Sequence, residues 1–288
     1  MCEPFLIFIH YIGVRGKNFM NKIKTIALVA PSGVLRNIDE INQKISILER
    51  CFKIKKYYDE NVQSRYLSDT DENRARYFEQ AFLDDEVDLV LSIRGGYGAI
   101  RIVDKINYDL IKNSSKFYAG SSDATILLAS LTSKTNIKCF HSLMITNGFV
   151  ENLDKNIEII ENDIFNLNLE PIKAGSVSGV LWGGNLSSLV SMFSNEQYLP
   201  NEDIILFLED LAEPSYKIDK MIYEIYRNKK LKNKIKGIIF GDFYLEDSEI
   251  MPIIEDFSSK FAVPTWITKD ITHKENNITL PFGKFINL

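Results

Sequence analysis

Two apolar runs in this chain each end in a glycine-containing turn that leads directly into a helix-like segment. The first run, residues 87–93, is followed by the motif RGGYG at residues 94–98. The second run is followed by GSSD at residues 120–123. A buried strand that passes through a tight turn into a helix is the repeating unit of a parallel sheet. These two turns therefore favour an α/β fold.

The same alternation of strand and helix continues through the first half of the chain, which indicates a parallel sheet with helices on both faces. Residues 25–30 are an apolar strand-like run, and residues 71–83 have the pattern of a helix with Thr70 or Asp69 as its cap. A polar stretch over residues 151–168 then interrupts the pattern.

We therefore predict two α/β domains. The first is a parallel-sheet domain over residues 20–150, with a nucleophile at a strand-to-helix turn. A linker is predicted over residues 151–172 and a mixed α/β domain over residues 173–288.

The first 19 residues differ from the rest of the chain. Their apolar patch, residues 5–9, is too short to span a bilayer. Glu3 lies where a signal peptide carries positive charge, and no small-residue cleavage site follows. We expect Met20 to be the biological start and residues 1–19 to be a non-native leader, with a weak membrane tether as the alternative. The absence of an export signal favours the cytoplasm.

Composition argues against several classes of partner and cofactor. The net charge is −5 and the lysines and arginines are scattered, which is unlike a nucleic-acid-binding protein. Three widely spaced cysteines form neither a disulfide framework nor a zinc pattern. With only three histidines as well, we expect no metal and no cofactor.

The turn at residues 120–123 offers a hydroxyl at the start of a helix. Ser121 and Ser122 are both eligible, and either could instead act only as a helix cap. A hydroxyl in this position can attack a carbonyl, and the backbone N–H of Asp123 can help to hold the resulting oxyanion. The motif GxSxG is absent, so the chain does not match an ordinary α/β-hydrolase.

The turn at residues 94–98 lets a ligand approach the backbone closely because three of its five residues are glycines. It lacks the third glycine of a dinucleotide fingerprint and the lysine of a phosphate-binding loop, so nucleotide binding is not favoured. Arg94 is suited to holding a substrate carboxylate.

A serine nucleophile needs a base and an acid. The candidate bases are His10, His141 and His273, of which His273 lies in a polar loop near the C-terminus. Glu209 follows the strongest apolar run of the second half and is the best candidate acid, with Asp210 as a competing neighbour.

At these residues the chain resembles the LD-carboxypeptidase and microcin-immunity family of serine peptidases. The resemblance runs from about residue 26 to the C-terminus. It rests on six segments in the family's order: residues 30–33, 94–98, 120–123, 183–186 and 206–210, and His273 with residues 280–283.

The resemblance implies a catalytic triad of Ser122, Glu209 and His273, which excludes Ser121 as the nucleophile. It implies an oxyanion hole at Gly96 and Asp123, and a site formed between the two domains. It also implies a homodimer that needs no metal.

The implied activity is release of terminal D-alanine from murein tetrapeptide in the cytoplasm, with Arg94, Gly95 and Tyr97 as substrate-binding candidates. Two alternatives stay open. One is a microcin-immunity hydrolase of aminoacyl- or peptidyl-nucleotides, and the other is a non-catalytic murein-peptide binding protein. Nucleic acid and membrane are not expected as partners.

Overall fold

The computed structural model describes residues 22–211 and 213–288. The leader predicted over residues 1–19 lies outside these described residues. The described strands are β1 Thr25–Val29, β2 Lys53–Tyr57, β3 Leu89–Ser92, β4 Phe117–Gly120, β5 Lys138–His141, β6 Glu170–Lys173, β7 Ser178–Asn185, β8 Ile204–Glu209, β9 Ile235–Phe240, β10 Thr265–Ile267, β11 Leu280–Phe282 and β12 Phe285–Asn287.

The described helices are α1 Ile38–Leu48, α2 Asp71–Leu83, α3 Ala99–Ile102, α4 Tyr108–Ile111, α5 Thr125–Lys134, α6 Leu153–Asn162, α7 Leu186–Ser191, α8 Ser215–Arg227, α9 Lys229–Lys234 and α10 Asp247–Phe261. None of the helices within this described part is long and apolar enough to cross a membrane. Helix α2 has the predicted bounds, and the Thr70 side chain caps it by accepting a hydrogen bond from the Asn73 N–H at 3.2 Å.

The first sheet has the strand order β11-β5-β4-β3-β1-β2, and its five strands from β1 to β5 are parallel. All residues of β1 and β3 are buried, as expected for central strands covered on both faces. The carboxyl ends of β1, β3 and β4 meet at one edge of this sheet. The two glycine-containing turns therefore lie next to each other.

The second sheet has the order β12-β7-β8-β9-β10-β6, with β7 to β10 parallel and an antiparallel strand at each edge. The predicted fold class of two α/β domains, the second of them mixed, is confirmed. The segment predicted as a linker, residues 151–172, contains α6, whose Ile160 is buried in the core of the first sheet.

The end of the chain belongs to both sheets. Strand β11 pairs antiparallel with β5 in the first sheet, and β12 pairs antiparallel with β7 in the second. The first sheet thus contains a strand from the segment predicted as the second domain. This crossing fixes both ends of the loop that carries His273.

Strands β7 and β8 approach each other at a glycine. A Cβ atom on Gly183 would lie 1.9 Å from the carbonyl oxygen of Phe207, and the φ angle of Gly183 is 151°. No side chain fits there, because the obstructing atom is backbone of the neighbouring central strand.

We expect Gly183→Ala to lower the free energy of unfolding by about 3 kcal/mol or more, because the new methyl group overlaps backbone that cannot move without disturbing the sheet. Urea denaturation followed by circular dichroism measures this change. Ser194→Ala, at an exposed position three residues after the end of α7, is the control and should change stability by less than about 0.5 kcal/mol. Equal stability of the two variants would contradict the close approach.

Candidate active site

Ser122 lies at a sharp turn between β4 and α5. Its φ angle is 56°, and it begins a short 3-10 turn, Ser122–Ala124. A left-handed conformation is uncommon for a residue with a side chain and is typical of a nucleophile presented between a strand and a helix. Ser122 is partly exposed, whereas Ser121 is buried. Of these two adjacent serines, only Ser122 reaches the protein surface.

The glycine turn after β3 packs directly against Ser122. A Cβ atom on Gly95 would lie 2.8 Å from Ser122 Oγ and 3.3 Å from the backbone nitrogen of Asp123. Among residues 22–211 and 213–288, the N–H groups of Gly96 and Asp123 donate to no protein acceptor. Two unpaired donors beside a hydroxyl are suited to holding an oxyanion.

The side chain of Asp123 ties the serine turn to the glycine turn. Its Oδ2 accepts a hydrogen bond from the Ala99 N–H at 2.8 Å, at the first residue of α3. Burial raises the pKa of this carboxyl, although its hydrogen bonds and the charge of Arg74 act in the opposite direction. Asp123 therefore has a structural role through its side chain, separate from the role of its N–H.

Arg74 is a buried arginine that the sequence analysis did not identify. Its guanidinium donates to the carbonyl oxygens of Pro31 and Gly98, which follow β1 and β3, and to Asp71 at 2.5 Å. The loops after two strands are thereby fixed to α2. Its burial could have been predicted from its position on α2, because it lies on the helix face that also carries the buried Ala75 and Phe78.

Glu209 and His273 are in direct contact. Glu209 is the last residue of β8 and is completely buried, and its Oε2 lies 2.6 Å from His273 Nδ1. Burial alone would raise the pKa of the Glu209 carboxyl, but the charge on His273 and contacts with both histidines hold it below its ordinary value. Burial alone would lower the pKa of His273, but Glu209 raises it. This contact orients the imidazole.

The structure does not join Ser122 to His273 by a hydrogen bond. Within the described residues, His273 Nε2 has no hydrogen-bond partner, and Ser122 Oγ has none either. Such bonds are commonly long without substrate and shorten in the complex. The imidazole borders an open cavity of about 590 Å³ that is also lined by Thr146 and Lys44 from the first domain.

His141 lies on the other side of Glu209. Its Nε2 is 3.7 Å from Glu209 Oε1, and its ring packs edge-on against Phe207. His141 is the last residue of β5 and is buried. Its position in the sequence makes His141 a candidate base but gives no sign that it neighbours Glu209. The third candidate base, His10, lies outside the described residues.

Asp210, the alternative acid, has other partners. Its carboxylate accepts hydrogen bonds from the side chain of Asn185 at 3.0 Å and from the backbone of Ser187 at 2.9 Å. These contacts hold the start of α7. The Asn185 N–H in turn donates to Thr125 Oγ1 at 3.1 Å, which joins α7 to the helix that follows Ser122.

The remaining predicted site residues lie on the glycine turn. Arg94 Nη1 donates to the Val34 carbonyl oxygen at 2.7 Å. Tyr97 is exposed, with its ring 5.8 Å from that of Tyr66. In the part of the chain that the structure describes, the His, Cys, Asp and Glu side chains form no group of three or more that could hold a metal ion.

Comparison with known proteins identifies two matching family models. One, described as the LD-carboxypeptidase N-terminal domain, matches residues 26–142, and the other, described as the C-terminal domain, matches residues 178–288. Ser122 lies in the first match, and Glu209 and His273 lie in the second.

The individual relatives share about a quarter of their residues with this chain. The chain is 27% identical to a probable murein peptide carboxypeptidase of Bacillus subtilis, over 92% of this chain and 88% of that protein. It is 24% identical to the microcin C7 self-immunity protein of Escherichia coli, over 76% of each. The crystal structure of muramoyltetrapeptide carboxypeptidase from Oxalobacter formigenes has the same fold, with a TM-score of 0.75, 24% identity, and 92% and 94% of the two chains covered.

We expect Glu209→Gln to lower the pKa of His273. The glutamine keeps the imidazole buried but removes the negative charge that raises its pKa. An NMR titration of the imidazole signals measures the shift.

Glu151→Gln is the matched control. Glu151 also lines the cavity beside His273, but its carboxylate is paired with Lys44 at 2.9 Å, so the pKa of His273 should not change. An unchanged or higher pKa of His273 in Glu209→Gln would show that the contact does not set the protonation of the imidazole.

Proposed function

The chain belongs to the LD-carboxypeptidase family of serine carboxypeptidases, and on that basis we propose that it releases the terminal D-alanine of murein tetrapeptide. The bond cleaved is the L,D peptide bond that follows the diamino acid. The observation that carries the proposal is the 2.6 Å contact between Glu209 and His273. It aligns an imidazole at a cavity between the domains, as a serine peptidase requires.

In the first half of the reaction, Ser122 Oγ attacks the carbonyl carbon and His273 Nε2 takes its proton. Glu209 stabilises the imidazolium that forms. The N–H groups of Gly96 and Asp123 hold the negative charge that develops on the carbonyl oxygen. His273 then returns the proton to the amine of the leaving D-alanine as the peptide bond breaks.

In the second half, water attacks the acyl-enzyme. His273 takes a proton from the water and gives it to Ser122 Oγ as the ester bond breaks. The products are a tripeptide and free D-alanine, and the enzyme returns to its starting state. The proposal includes a role in cytoplasmic cell-wall recycling and a homodimeric assembly, both of which rest on the family resemblance.

A microcin-immunity activity is the second candidate. That activity is favoured by aromatic surface that can stack on a base. Trp182 is buried and offers no such surface, which favours the murein substrate. The exposed pair of Tyr66 and Tyr97 is the surface that would serve the alternative. Hydrolysis of an aminoacyl sulfamoyl adenylate in preference to murein tetrapeptide would favour it over our proposal.

We expect Ser122→Ala to reduce D-alanine release from murein tetrapeptide by at least about 10³-fold, because the acyl-enzyme cannot form. A coupled assay with D-amino acid oxidase measures the rate. Release at the wild-type rate would rule out Ser122 as the nucleophile. A wild-type protein that binds the peptide without releasing D-alanine would support the non-catalytic alternative.

Ser121→Ala is the control for this substitution. Ser121 is the adjacent serine, buried and 3% exposed, and its hydroxyl makes no hydrogen bond within the described residues. Its loss should change the rate by less than about tenfold, since no step of the proposed mechanism uses it. Thermal unfolding of both variants shows whether the fold is retained.

A further inference from the structure

A second, smaller cavity of about 200 Å³ adjoins the candidate site. Three cationic side chains and one acidic side chain line it, together with Asn37, Ile41 and Thr146; the charged residues are Arg36, Lys44, Arg94 and Glu40. Thr146 and Lys44 also line the larger cavity beside His273. A substrate in the larger cavity can therefore extend into the smaller one.

The charges of this cavity are not balanced within the protein. Lys44 is paired with Glu151 at 2.9 Å and with Glu40 at 3.7 Å. Neither Arg36 nor Arg94 forms an ion pair with a carboxylate among residues 22–211 and 213–288. Burial lowers the pKa of the Arg94 guanidinium, and repulsion from the charge of Arg36 lowers it further by a smaller amount. Two neighbouring guanidinium groups without a counter-ion are suited to an anion.

The position of Arg94 places this charge beside the reacting groups. A Cβ atom added to Gly33 would lie 3.7 Å from the guanidinium carbon of Arg94. A Cβ atom added to Gly96 would lie 3.6 Å from Arg94 Nη2. Gly96 carries one proposed oxyanion donor, and Gly95 faces Ser122. A group held by Arg94 is therefore close to the scissile bond.

We propose that Arg36 and Arg94 bind the terminal carboxylate of the leaving D-alanine. This inference rests on the proposed function and deepens it, because it explains how the site selects the end of a peptide. The terminal carboxylate is separated from the scissile nitrogen by a single carbon atom. Guanidinium groups bind carboxylates through paired hydrogen bonds, and Nη2 and Nε of Arg94 remain available for them.

The first experiment compares murein tetrapeptide with the same peptide ending in D-alaninamide. We expect Arg36→Gln to lower kcat/KM for the free acid by about tenfold, equivalent to about 1.4 kcal/mol, and to leave kcat/KM for the amide unchanged. Arg94→Gln should act in the same direction. Arg50→Gln, at an exposed position two residues after the end of α1, should change neither. Equal losses for acid and amide, or no loss, would overturn the proposal.

A peptide with lysine in place of the diaminopimelate residue identifies which carboxylate is bound. It keeps the terminal carboxylate and lacks the one on the side chain. We expect Arg36→Gln to lower kcat/KM for this peptide by the same factor. If the loss disappears with the lysine peptide, the pocket binds the side-chain carboxylate and our assignment is wrong.

A binding measurement separates failure of this inference from failure of the proposed function. We expect N-acetyl-D-alanine to bind wild-type protein more tightly than its amide does in an NMR titration, and Arg36→Gln to weaken binding of the acid by about tenfold. Absence of D-alanine release from the wild-type protein would refute the function alone. Equal binding of acid and amide would refute the carboxylate pocket, whatever the catalytic result.

Discussion

The buried carboxylate of Glu209 joins the parts of the candidate site. Glu209 belongs to the second sheet, His141 lies 3.7 Å away on the first sheet, and His273 lies 2.6 Å away on the loop that leads back to the first sheet. An isolated charge in this position would cost several kcal/mol, because no water reaches it. The two sheets must therefore meet in a narrow range of arrangements, and that constraint holds His273 against Glu209.

Arg74 has the corresponding role within the first domain. Its guanidinium donates to carbonyl oxygens in the loops after β1 and β3, which connects these loops to α2. The glycine turn after β3 is thereby held in place. Asp123 connects the same turn to the serine. The backbone donors proposed for the oxyanion are thus held by buried charged groups, which keeps them fixed before a substrate arrives.

The sequence predicts what local patterns determine. Apolar runs and helical spacing gave the α/β class and the bounds of α2, and the ends of two strands gave Ser122 and Glu209 as candidates. Contacts between residues far apart in the chain could not be predicted from these local patterns. The crossing of β11 into the first sheet depends on contacts between residues 139 to 143 positions apart. The approach of His141 to Glu209 depends on how the two sheets dock. Arg74 is a charged residue on the buried face of its own helix. Its burial is tolerable because its guanidinium is paired with Asp71 and with the distant carbonyl oxygens of Pro31 and Gly98.

The long separation between β5 and its partner β11 along the chain has a consequence for synthesis of the protein. Strand β5 is an edge strand of the first sheet until β11 pairs with it. The first domain therefore leaves the ribosome with unpaired backbone groups on β5, a surface on which other chains can add. Those groups are covered only after residues 280–282 have emerged, because these residues form the strand that pairs with β5. Pairing of this edge, like the contact between His273 and Glu209, requires a segment that is synthesised long after β5.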